Sequence, residues 1–90
     1  MAKQRRYPKE EIARRGDAIY EQKIRPLLKP RDKGKYVAID IETGEYEISK
    51  SEMAACDRLD ARIPDAQTWM VRVGYPAVHI FGGHLPREAP

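Results

Sequence analysis

Asp40 and Glu42 stand one residue apart in the stretch Val37-Ala-Ile-Asp-Ile-Glu-Thr-Gly44. Side chains alternate along an extended strand, so both carboxylates fall on one face, as sharing a divalent metal requires. That chemistry needs further carboxylates. Asp57, Asp60 and Asp65 follow, but none sits in a recognisable partner motif. The alternative reading is a hairpin whose solvent face carries Asp40, Glu42, Glu45 and Glu47, and this is the reading adopted. Cys56, His79 and His84 lack the spacing of a zinc site, and a Cys–His nucleophile pair would have to be assembled by the fold. Cys56 falls on an apolar helical stripe, where a small thiol is ordinary packing. Gly82-Gly83 has neither the lysine nor the following helix of a phosphate loop. The chain therefore reads as non-enzymatic, with no catalytic residue, no metal site and no cofactor.

Charge gives a second lead. Through Lys35 there are twelve Lys/Arg against five Asp/Glu, whereas from Tyr36 onward there are five against nine. A basic segment joined to an acidic body suits an anionic partner, and Lys3, Arg5, Arg6, Lys9, Arg14 and Arg15 are the candidate nucleic-acid contacts. Interleaved aromatics for base stacking are missing from that segment. Trp69, Tyr75 and Phe81 are the candidate protein-partner contacts, because aromatics anchor interfaces. Tyr75, in a turn between Gly74 and Pro76, is the best placed of the three, and Trp69 is expected in the core.

These side chains must be held by a small framework. Ninety residues allow one domain with a modest core. Residues 1–8 read as a flexible basic arm, 9–83 as a single domain and 84–90 as a frayed tail. Ile12, Ile19, Tyr20, Ile24 and Leu27 recur at helical spacing, and Gly16 on the same side predicts close approach of another element. Pro26 ends or kinks that helix. From Tyr36 the period becomes two, and Val37, Ile39 and Ile41 face Tyr46 and Ile48 only across an even-length loop, which pairs Ile41 with Tyr46 and Ile39 with Ile48. Ser49-Lys-Ser-Glu52 has the form of a capping box for a helix carrying Met53, Cys56, Leu59 and Ile63. Strands follow over 67–73 and 77–81. The expected fold class is α+β, in the order α-β-β-α-β-β: a mainly antiparallel four-stranded sheet with both helices on one face, forming a two-layer sandwich.

Two resemblances attach to these residues. Val37 to Gly44 resembles the first motif of the DnaQ-like 3′–5′ exonucleases, which implies a metal-dependent nuclease with Asp40 and Glu42 as ligands; the resemblance ends with those eight residues. Over a longer span, Ile12-Ala-Arg-Arg-Gly-Asp-Ala-Ile-Tyr20, Lys35-Tyr-Val-Ala-Ile-Asp-Ile-Glu-Thr-Gly-Glu-Tyr-Glu47 and Arg72-Val-Gly-Tyr-Pro-Ala-Val-His-Ile80 resemble a family of small uncharacterised prokaryotic proteins that are antitoxin-like in size and arrangement. That resemblance implies a regulatory module working through a protein partner, and it carries over no site residues. A single cysteine, no secretory signal and no bilayer-length apolar run give a cytoplasmic expectation, with a protein partner or self-association first, nucleic acid as the alternative, and no membrane.

Overall fold

In the computed structural model, residues 6–75 are described. Helix α1 spans Lys9–Ile19. Pro8 precedes it in extended geometry and its carbonyl accepts from the amides of Glu11 and Ile12 at 3.0 and 3.1 Å. Proline offers no capping side chain, and Glu10 and Glu11 supply the negative charge that favours a helix start.

The buried positions of this segment are Ile12, Ala13, Gly16, Tyr20 and Ile24, a spacing of mostly four residues. In an α-helix each step of four overshoots a full turn by about 40°. Beyond Ile19 the chain loosens into a π-helical stretch, Tyr20–Ile24, whose slower winding reduces that overshoot and keeps Tyr20 and Ile24 facing the sheet. Pro26 then lies in a 3₁₀ turn, Arg25–Leu27, after which Leu28 is extended. The predicted stop at Pro26 is therefore found. Leu27 departs from the expected stripe: it is 63% exposed, and Leu28 packs on the core instead.

Strands β1 (Tyr36–Asp40), β2 (Tyr46–Ser49) and β3 (Thr68–Arg72) form an antiparallel sheet with β1 in the centre, in the order β2-β1-β3. Helix α2, Glu52–Arg62, carries the chain from one edge of the sheet to the other. The hairpin loop is even, as the apolar faces require, but the register lies two residues from the expected one. Ile39 opposes Tyr46 and Val37 opposes Ile48. The turn begins already at Asp40, whose carbonyl accepts from the Gly44 amide at 2.8 Å and whose carboxylate accepts from the Glu42 amide and the Thr43 hydroxyl, while the Ile41 amide donates to the Gln67 carbonyl at 3.0 Å. Gly44 closes it at φ +81, the left-handed region in which a glycine is the natural choice.

The two-layer arrangement is corrected. The helices lie on opposite faces, making a three-layer molecule. Val37, Ile39, Val71 and Val73 pack with Tyr20 and Ile24 on one side, whereas Ala38 packs with Ala55, Leu59 and Ala66 on the other. The alternation at Ala38, Asp40 and Glu42 suggests a solvent face, but a central strand has two faces to cover. Ala38 is small enough for α2 to sit directly upon it, and Ala38 and Asp40 are both buried. Glu45 and Glu47, expected on open solvent, are bound by Arg62 of α2 through Nη1 and Nε at 2.9 and 2.8 Å.

Helix α2 is capped by Ser51 rather than Ser49. The Ser51 side chain accepts from the Ala54 amide at 3.2 Å, while Ser49 ends β2. The shift turns Met53 outward, 73% exposed, and Ala55 inward. Three of the expected strands are found. The fourth, at 77–81, lies outside the described residues, as do Lys3, Arg5, Phe81, His79 and His84.

Candidate functional site

The ends of β1 carry different chemistry. At its C-terminal end Asp40 is 1% exposed. Its Oδ1 accepts from the Gln67 amide at 3.0 Å and the Glu42 amide at 3.3 Å, and its Oδ2 accepts from Thr43 Oγ1 at 2.9 Å. One carboxylate thus joins the hairpin turn to the start of β3.

Glu42 faces the N-terminal segment. It accepts from both Nε (3.0 Å) and Nη2 of Arg6 and from the Tyr7 hydroxyl at 3.1 Å. The Arg6 amide also donates to Gln67 Oε1 at 2.7 Å. Arg6 and Tyr7 are therefore strapped over the hairpin. Among the described residues, no group of three or more His, Cys, Asp or Glu side chains converges as a metal site. Cys56 is half-buried on α2.

The Arg6 guanidinium, aided by the Tyr7 hydroxyl, holds the Glu42 carboxyl below its ordinary value. A depressed folded value contributes stability above the unfolded value of about 4.3, and that contribution is lost as pH falls through the folded value. The stability difference between wild type and Glu42→Gln should therefore shrink on acidification from about pH 6 to about pH 3. Denaturant midpoints measure it, and a constant difference would contradict the clasp.

The basic residues of α1 are engaged within the helix. Arg14 and Arg15 both pair with Glu11, and Arg15 also lies over the Tyr7 ring, 4.7 Å from its centroid. Exposed pairs of this kind contribute little to stability. They do leave Lys9 as the exposed cation of this segment without a partner among the described residues.

The N-terminal end of β1 is built differently. Tyr36 and Arg72 are cross-strand neighbours, and the turn after β3 brings Tyr75 back over Arg72. The guanidinium carbon lies 5.3 Å from the Tyr36 centroid and 4.2 Å from that of Tyr75, within cation–π range. Tyr75 remains 47% exposed. Beside it a cleft of about 290 Å³ is lined by Tyr20, Glu21, Arg25, Gly74 and Tyr75. Burial, with Glu21 adjacent, pushes the Tyr20 hydroxyl above its usual value and keeps it a neutral phenol.

The connection 29–35 borders the same end. Gly34 donates to the Val73 carbonyl at 2.8 Å, and a side chain added at Gly74 would collide with Lys33 Cγ at 2.7 Å. Trp69 has another role. It packs against the core beneath α1, its Nε1 donating to Asp17 Oδ1 at 2.8 Å.

Of the sequence-selected residues, the fold therefore places Tyr75 on a surface, Trp69 against the core, and Arg6, Arg14 and Arg15 in internal ion pairs. Residues not selected, Tyr36, Lys33 and Arg72, gather around Tyr75. The alternating cations of Lys29-x-Arg31-x-Lys33-x-Lys35 were the available signal. No family model, curated protein or solved structure matches the chain. No helix among the described residues is long and apolar enough to cross a membrane.

Proposed function

We propose that this chain is a small non-enzymatic binding module, antitoxin-like in acting by occupying a macromolecular partner, and that its contact surface is the Arg72–Tyr75 end. The observation that carries the reading is the Tyr36–Arg72–Tyr75 stack, exposed at its Tyr75 face beside a cleft. Tyrosine and arginine are the residue types that concentrate binding energy at interfaces. Holding the guanidinium between two rings fixes side chains before a partner arrives and lowers the entropy lost on docking.

The carboxylates support binding over nuclease chemistry. Asp40 is enclosed by donors from its own chain, and Glu42 is held by Arg6 and Tyr7. A cytoplasmic regulatory protein with a protein partner fits this reading, and so does one that binds nucleic acid.

The test uses immobilised wild type and Tyr75→Ala, shown to melt alike, in cell lysate. Material enriched by wild type should be lost or reduced at least several-fold with the variant. Equal capture by both proteins would remove Tyr75 from the contact surface.

A further inference from the structure

We infer that the surface formed by the connection 29–35 and the Arg72–Tyr75 turn binds single-stranded nucleic acid. The inference rests on the proposed contact surface and names the partner class it takes. Lys29, Arg31 and Lys33 are exposed cations at alternate positions, and none of their side chains makes a direct hydrogen bond or ion pair among the described residues; Asp32 between them is held by the Lys29 amide and Lys35, with Arg31 adding to the field on its carboxyl. In contrast, the arginines of α1 are already paired with Glu11. Among the described residues, the cations without a direct ion pair are therefore concentrated at this end rather than on α1.

Proteins that bind single strands combine a cationic track for phosphates with aromatic rings on which bases stack. Both parts are present together. Lys33 lies over Gly74, which joins the cationic connection to Tyr75. One face of the Tyr75 ring is occupied by Arg72, and the residue keeps 47% of its surface. The adjoining cleft offers Tyr20 as a second aromatic wall, and its rim carries the Glu21–Arg25 ion pair, with Arg25 Nη1 2.6 Å from Glu21 Oε1.

An acidic peptide would use the cations but leave the ring face and the cleft unfilled. A duplex hides its base faces, so the stacking surface would gain nothing from it. Single-stranded nucleic acid uses every part.

The experiment is fluorescence anisotropy of labelled oligothymidylate and oligouridylate against the full chain across a salt series. Duplex DNA and polyglutamate serve as comparators, and every variant is checked for an unchanged melt. Wild type should bind, with log affinity falling linearly in log salt. Arg31→Ala/Lys33→Ala should flatten that slope by about 0.7 per lost phosphate contact, roughly 1.4 for two. Tyr75→Ala should weaken binding about fivefold or more at an unchanged slope. Arg14→Ala/Arg15→Ala should bind as wild type does.

Absence of binding at low salt, tighter binding to duplex, or full displacement by polyglutamate would overturn the inference. So would a larger loss in the Arg14/Arg15 variant than in the Arg31/Lys33 variant. If oligonucleotides fail but Tyr75→Ala still loses lysate capture, only the partner class falls. If neither measurement responds, the contact surface falls with it.

Discussion

Gly16→Ala is expected to destabilise the protein by about 2 kcal/mol, against the ordinary rule for helices. At an open helical position the same change stabilises by about 1 kcal/mol, because glycine gives up more backbone freedom on folding. Here the added carbon would lie 2.2 Å from Trp69 Cδ1 and 2.5 Å from Trp69 Cβ. These are atoms near the root of a packed side chain, so β3 or α1 must shift as a whole. The Trp69–Asp17 hydrogen bond is lost in the same movement.

A loss of that size should lower the melting temperature by roughly 10 °C. The chain's single tryptophan provides a second readout, with its emission shifting to the red as the ring is displaced. Trp69→Leu in the Gly16→Ala background should recover part of the loss, a coupling that a double-mutant cycle measures. An unchanged or raised melting temperature for Gly16→Ala would show that α1 does not sit against Trp69.

Asp40→Ala should cost about 3 kcal/mol or more. The substitution leaves the buried Gln67 amide without its acceptor and releases the Glu42 amide and the Thr43 hydroxyl. Hydrogen bonds to a charged group contribute roughly 1.5–3 kcal/mol each, and a buried donor left unpaired adds its own penalty. Asp40→Asn keeps one oxygen acceptor and should cost about half as much. Urea unfolding measures both. The sign separates two views of the Asp-x-Glu motif. A carboxylate kept for chemistry often stands at the expense of stability, so that its removal stabilises. A structural carboxylate does the reverse, and a neutral or stabilising Asp40→Ala would contradict the assignment of Asp40 to the fold.

The one-dimensional patterns that could be read from the chain were those in which a single residue type answers a local demand. Pro26 stops its helix because it lacks a donor, and Gly16 signals the contact that Trp69 makes. The parity of the β1–β2 loop follows from which side chains must share a face. Facts set by elements distant in sequence were not legible. Gln67 takes the Ile41 amide and gives its own amide to Asp40, and nothing near Ile41 announces that β3 lies there. Ala38, Ala55 and Ala66 look like filler, yet their small size admits α2 to the second face of β1. Asp40 and Glu42 have the spacing of a metal pair because that spacing also suits a turn: the first residue caps the loop and the second reaches out to Arg6.

The proposed contact surface is legible only in part. Tyr75 stood out as an aromatic in a turn, but Tyr36 and Arg72 are 36 positions apart and meet through β1–β3 pairing alone. Lys29 to Lys35 reads as a polar linker until Gly34 and Val73 join it to that turn.

In the proposed function, β1 carries a structural clasp at its Asp40 end and a binding surface at its Tyr36 end. The most direct measurement is an amide NMR titration of the full chain with a short single-stranded oligonucleotide in the presence of magnesium, followed by manganese. Shifts are expected at Lys33, Gly34, Arg72, Gly74 and Tyr75, with an intact oligonucleotide and no selective manganese broadening from Ile39 to Gly44. Cleavage of the oligonucleotide, or saturable manganese broadening centred on Asp40 and Glu42 with the Tyr75 end unperturbed, would contradict it.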